Sequence, residues 1–475
     1  MLRGKCNKLA AVLVVLGFWL FLDPHQAQAV PSFARQTGLD CNSCHTVFPE
    51  LTAVGRNFKL NGYTASKHGD KSYEWPPPVS GMLQLSFTHQ YKAVPSNIAM
   101  GFDIQGASKA NDNIGAPQAV SLFYAGRIYG NHLGGFIQGT YDGVNNKFFL
   151  DNTDVRLTGK TSLFNKDLVL GLTVNNNPTV TDVLNTTPAF RFPSAGSATA
   201  LSPNAGLQIE GLGGQVGGIG GYFYWNNLLY AEVAVYRTAR QGFLQFLGAG
   251  TVTDPMIQDV APYWRVFLQH QWGKNSLAVG TYGLVTRNLS PSPKVDDNGN
   301  TLPNLIDTRG PIDRFTDIGF DAQYQFIGKK HIVTAQTTYI HEDQGLNDTF
   351  SQGGSPGSHA WLDTYRVNLN YYYRTNNWGT IGGTVAYFNF WGTPGFISPN
   401  PGDGSRTGKP NSDGFILEFD YVPWWKYTKF TIQYTFYNRF NGSISKYDFN
   451  PGDAPFSRRN ASDNNTLYIL IWQMI

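Results

Sequence analysis

The stretch Tyr365-Arg366-Val367-Asn368-Leu369-Asn370-Tyr371-Tyr372-Tyr373 sets Tyr365, Val367, Leu369, Tyr371 and Tyr373 on one side of an extended chain and Arg366, Asn368 and Asn370 on the other. Side chains of a strand point alternately to its two faces, so this run reads as a strand with one apolar and one polar face. The pattern recurs. Phe415, Leu417, Phe419 and Tyr421 oppose Glu418 and Asp420. Phe430, Ile432, Tyr434 and Phe436 oppose Thr431, Gln433 and Thr435, and Ile318, Phe320, Ala322, Tyr324 and Phe326 oppose Asp317, Asp321, Gln323 and Gln325.

From Val79 onward there are 16 such runs, near 79–90, 118–129, 132–141, 148–161, 167–176, 214–224, 228–236, 261–272, 275–285, 314–326, 331–341, 361–373, 379–391, 413–421, 429–440 and 465–473. Tight turns at Gly130-Asn131, Asn165-Lys166, Asn226-Asn227, Gly273-Lys274, Gly328-Lys329 and Asn376-Asn377, with a longer one over Val422–Tyr427, alternate with long connections; 142–147 is the exception. Short periplasmic turns and long extracellular loops are the rhythm of a transmembrane β-barrel. Trp225, Trp272, Trp378, Trp424 and Trp425 fall at the short turns, where an interfacial aromatic girdle belongs. The strand Leu467–Ile475 can close on the first. These features predict an all-β transmembrane barrel of about 16 antiparallel strands over 79–475; a large soluble β-sandwich is the alternative. A water-filled lumen is expected if nothing plugs the barrel.

Composition agrees. Charged residues make up 15% of the chain, against about 25% in ordinary soluble domains, and aromatics 14%. A net charge of +3 in 475 residues gives no reason to expect nucleic acid as a partner. Residues 1–29 read as a secretory signal: Arg3, Lys5 and Lys8, then the apolar run Leu9–Leu22, then the small-residue site Ala27-Gln28-Ala29. The apolar run is short against the ~20 residues of a spanning helix.

Cys41-Asn42-Ser43-Cys44-His45 is C-x-x-C-H, the attachment sequence of a c-type haem. Two thiols one helical turn apart can each bond a vinyl group of one porphyrin, and the adjacent imidazole can serve as proximal iron ligand. A thioredoxin-type pair lacks its βαβ context, half a zinc site lacks its other half, and a Cys41–Cys44 disulfide is the remaining alternative. Around the motif, Ser32 is placed to cap a short helix, Phe33 to Thr37, ended by Gly38. Leu51, Val54, Phe58 and Leu60, at near-helical spacing, offer an apolar face for a porphyrin, and Arg56 and Lys59 are propionate partners or solvated charges. For the sixth ligand, Met82, at the start of the first strand after Pro76-Pro77-Pro78, is the leading candidate and His68 the alternative; an open site is the third possibility. Gly353-Gly354-Ser355-Pro356-Gly357 matches the G-x-S-x-G elbow in letters, but lies in a Gly/Ser/Pro loop rather than between a strand and a helix.

The segment Pro31 to Gly38, then Cys41 to His45, Phe48-Pro49-Glu50-Leu51 and Gly55 to Tyr63, resembles the fused outer-membrane cytochrome–porin family, best known from iron-oxidising bacteria. The resemblance covers about 35 residues, and it divides the chain into a signal (1–29), a monohaem cytochrome c segment (30–78) and a barrel (79–475). It implies one covalent haem c on Cys41, Cys44 and His45. It also implies an outer-membrane location in contact with lipid, with the haem segment periplasmic or in the lumen. The electron donor would be extracellular, Fe(II) foremost, and the acceptor a periplasmic c-type cytochrome or copper protein. Enzymatic activity would then be Fe(II) oxidation at most. A solute porin with a haem-bearing plug or redox gate, and a haem enzyme with an open sixth site, are the competing expectations.

Overall fold

The computed structural model describes residues 31–69, 74–93, 111–238, 256–289, 292–295, 301–307, 310–394, 403–449 and 458–475. The signal reading of 1–29 lies outside them.

Sixteen strands of 9 to 18 residues form the barrel. They are β1 (Val79–Gln90), β2 (Asp112–Tyr129), β3 (Leu133–Asp142), β4 (Lys147–Leu163), β5 (Lys166–Asn175), β6 (Val216–Trp225), β7 (Leu229–Thr238), β8 (Ala261–Trp272), β9 (Asn275–Leu289), β10 (Asp313–Ile327), β11 (His331–Leu346), β12 (His359–Arg374), β13 (Gly379–Gly392), β14 (Ser412–Pro423), β15 (Thr428–Arg439) and β16 (Thr466–Met474). Each pairs antiparallel with its chain neighbours, and β1 pairs with β16, running from Met82 opposite Met474 to Gln90 opposite Thr466. This closure removes both sheet edges, which a sheet in hydrocarbon requires because no water is there to satisfy an open one. The expected strands are all present; several, such as β4, β9 and β11, run further than alternation alone suggested.

The outward face is apolar. Leu122, Leu172, Val233, Val279, Phe320, Leu369, Val385 and Phe419 stand exposed around the wall. A soluble protein rarely exposes so continuous an apolar belt, whereas a lipid-facing barrel needs one. The girdle tryptophans sit at the short-turn end, with Trp378 and Trp424 exposed. The protein is therefore an outer-membrane, porin-like β-barrel.

The inward face is polar and filled. Asn368, Asn370, Gln323, Gln325 and Asp420 point into the lumen and are buried. Two chain segments bury them, so the lumen is plugged. One is the loop between β5 and β6, which turns inward: Val183 and Leu184 pack against the wall, and Asp182 reaches Arg265 at 3.1 Å. The other is the N-terminal segment, entering at the short-turn end, which is the periplasmic end by the usual rule. Gly218 belongs to the Gly-rich run 211–221; a Cβ there would come within 2.2 Å of the Tyr236 ring, so the glycine makes room for a lumen aromatic.

Candidate site in the barrel lumen

The N-terminal segment folds into three short helices, α1 (Pro31–Thr37), α2 (Cys41–Cys44) and α3 (Ala53–Leu60). Gly38, at φ +72°, ends α1, as the left-handed position after a helix favours. The expected Ser32 cap is not made: α1 already includes Pro31, and the Ser32 hydroxyl pairs instead with that of Ser80 on β1. The α2 turn carries both cysteines, and the His45 amide closes it by donating to the Cys41 carbonyl at 2.8 Å. Thr52 caps α3 and also donates its hydroxyl to the Ser43 carbonyl at 2.5 Å. Gly55 lets α3 touch the cysteine turn, since a Cβ there would lie 2.4 Å from the Cys44 carbonyl oxygen.

Side chains from this segment bolt it to the barrel wall. Arg56 donates to Gln325 at 2.7 Å and to Gln323 at 3.1 Å. Glu50 accepts from Thr334 and Thr46, and from Asn370 at 2.6 Å. Tyr63 donates to Asp154 at 2.7 Å, and Tyr222 donates to the Leu60 carbonyl at 2.7 Å. Burial alone would make these groups costly, so their pairing is what lets a polar segment sit in the lumen.

Between the segment, the wall and the inward loop lies a cavity of about 370 Å³. This falls within the ~300–1,000 Å³ typical of ligand and cofactor sites. The segment contributes Cys41, Cys44, His45, Phe33, Phe48 and Phe58; the wall contributes Met82, Phe123, Phe136, Trp472 and Met474; the loop contributes Asp182, Asn185 and Phe190. Leu39 and Asp40, exposed at the short-turn mouth, mark one end. Gln138, Thr140, Asp151 and Asn152, further along β3 and β4 towards the long loops, make the other end polar.

Burial pushes the His45 imidazole down to about 4, although backbone groups of Pro49 and Glu50 favour its charged form. The ring is therefore neutral at ordinary pH, with Nδ1 buried and lacking a hydrogen-bond partner. Burial, and then Cys41, push the Cys44 thiol up to about 11. Lys59 lines the cavity with its ammonium donating to the Val180 and Asp182 carbonyls at 2.6 and 2.9 Å, and burial brings it down to about 8.

Of the sequence candidates, Cys41, Cys44, His45 and Met82 come together around this cavity, with Leu51, Phe58 and Lys59. His68 does not line it; its Nδ1 faces Glu74 at 3.1 Å. Arg56 turns to the wall, Val54 stands exposed and Leu60 packs against β5 and β6, so the apolar face of α3 is narrower than its spacing suggested. Sequence reasoning missed Trp472 and the inward loop, and did not single out Met474. The signal for Met474 was present: an antiparallel closure of first on last strand brings it opposite Met82. Ser355 lies in a loop after the short helix Asn347–Ser351, donating to the Gly357 carbonyl, with no elbow around it.

No family profile and no curated protein sequence matches this chain. Solved structures that resemble it include an anion-selective porin from Comamonas acidovorans, 10% identical with a TM-score of 0.43, covering 84% of this chain and 98% of the other. The outer membrane channel DcaP of Acinetobacter baumannii is 13% identical with a TM-score of 0.42, covering 86% and 99%. OmpF of Salmonella typhi is 10% identical with a TM-score of 0.40, covering 84% and 97%.

Proposed function

We propose that the chain is a monohaem outer-membrane cytochrome–porin that takes electrons from an extracellular donor, Fe(II) foremost, and hands them to a periplasmic c-type cytochrome or copper protein. The observation that carries this reading is the position of the C-x-x-C-H side chains. Both thiols and the imidazole line one cavity inside the lumen, and that cavity runs from the periplasmic mouth towards the loop side.

The residues present suit a haem. Cys41 and Cys44 would hold it by adding their S–H bonds across two vinyl groups, giving two thioethers. His45, neutral and with Nδ1 lacking a partner, would offer its imidazole to the metal. Phe33, Phe48, Phe58, Phe123 and Phe136 would give the macrocycle an apolar bed, beside the Lys59 ammonium that the Val180 and Asp182 carbonyls hold. When bound, the group supplies a one-electron couple set by its axial ligands, hydrogen bonds and burial. The protein's part is to shield that couple from bulk water and keep its edge within reach of partners at both mouths.

A solute porin is the second reading, favoured by the closed barrel itself. The plugging segment and inward loop weigh against free conduction. The test is haem-specific staining of the mature chain after denaturing electrophoresis, with single-channel conductance measured on the same preparation. Haem that stays with the wild-type chain and is lost from Cys41→Ser/Cys44→Ser supports the cytochrome. A haem-free chain with porin-sized conductance overturns it.

A further inference from the structure

We propose that the sixth ligand of the bound iron comes from the seam that closes the barrel, from the adjacent thioethers of Met82 and Met474, so that the haem ties the N-terminal segment to the first and last strands. The inference rests on the haem reading above.

Met82 on β1 and Met474 on β16 are direct partners in the register that closes the barrel. Directly opposed residues on one face have Cβ atoms about 4.5–5.5 Å apart. Both side chains are 6% exposed, and both line the cavity that holds Cys41, Cys44 and His45. Phe123, Phe33 and Trp472 pack around them, so this part of the wall is apolar.

The histidines nearest in sequence to the motif, and the Tyr63 and Lys59 heads that line the cavity, have partners elsewhere. His45 is the one histidine of the described residues that lines it. His68 is held by Glu74, His89 by Asp112 at 2.6 Å, and His132 lies beside the Thr158 carbonyl. The Tyr63 phenol donates to Asp154, and the Lys59 ammonium to two loop carbonyls. A thioether suits a dry wall: it is a soft ligand with no proton to lose, and its side chain has three rotatable bonds with which to reach the metal. Two adjacent methionines make the position redundant, since either strand of the seam can supply it. Met ligation also raises the potential relative to a bis-His haem, which suits an electron sink for a weak reductant.

The test compares the purified haem-loaded wild type with Met82→Leu, Met474→Leu and the double variant. Three quantities are read: the far-red charge-transfer band of thioether-ligated ferric haem, the reduction potential, and covalent haem content from the alkaline pyridine spectrum. The expected result is a band in the wild type, its retention in at least one single variant, and its loss in the double variant with a lower potential and unchanged haem content. A wild type without the band, or a double variant that keeps it, overturns the proposal. Should the double variant fail to fold, selenomethionine labelling of the wild type replaces it: a bound thioether shifts the band, and a spectrum unchanged by labelling refutes thioether ligation. A chain carrying no covalent haem overturns the cytochrome reading as well, and the pyridine spectrum tells the two failures apart.

Discussion

Replacing Asp182 by Ala should loosen the roof of the cavity. The Asp182 carboxylate gathers the inward loop around itself: Oδ1 accepts from the Leu184 amide at 3.0 Å and from Arg265 at 3.1 Å, and Oδ2 accepts from the Thr186 and Thr187 amides and the Thr187 hydroxyl at 3.0–3.1 Å. Bonds to a charged group are worth about 1.5–3 kcal/mol each when a buried partner is stranded. The sum overstates the loss, because Arg265 keeps Asp321 at 2.7 Å and water can reach the freed amides. A net loss of about 3 kcal/mol remains, or roughly a hundredfold rise in the population of the undocked loop at 1.4 kcal/mol per tenfold. The assay is amide hydrogen exchange over residues 177–190 in detergent, paired with conductance in planar bilayers. Exchange should speed by about two orders of magnitude in Asp182→Ala, less in Asp182→Asn, and conductance should rise as the roof opens. Unchanged protection with unchanged conductance would refute the reasoning that this carboxylate docks the loop. Acid offers the same test without mutation. Burial opposes the charged form, but Arg265 and the loop amides outweigh it and hold the group below its ordinary 3.8. Its stabilisation is therefore present above pH 3.8 and lost as the pH falls through the folded value.

Two further outcomes follow from the same structure. Lys59 is brought down to about 8 from an ordinary 10.5, so the unfolded chain binds more protons between those values and stability should rise with pH across that window. Unfolding of the barrel followed from pH 7.5 to 10.5 should show this rise in the wild type and a flatter curve in Lys59→Met; identical curves would exclude Lys59 as its source. Val385 faces outward in the middle of β13 with about half its surface exposed, so Val385→Arg should cost about 2–4 kcal/mol of folding free energy in bilayers. No cost in bilayers would deny that this face meets lipid.

The barrel was legible because its information is local. Alternation over about ten residues decides which face meets lipid, and an Asn or Gly in a tight turn decides where the strand reverses. Thus Asn226 and Asn227 adopt positive φ at the turn where the sequence placed them. The inward loop was not legible, for a physical reason. The loop 177–213 is rich in Asn, Thr and Pro, the composition of any exposed loop, and it is drawn inward by partners far along the chain, such as Asp321 for Thr186 and Arg265 for Asp182. Arg56 illustrates the same limit: helical spacing cannot tell a propionate partner from a side chain that reaches Gln325, 269 residues away. The cysteine–histidine motif was readable from its spacing alone, but the cavity that gathers it with Met82 and Met474 exists only once β1 has closed on β16.

The most direct test of the account is to mix the oxidised, haem-loaded protein anaerobically with Fe(II) and follow its visible spectrum. Rapid growth of the reduced-haem α-band, with no other reductant present, is the expected result. A haem that dithionite reduces fully but Fe(II) leaves oxidised would contradict it.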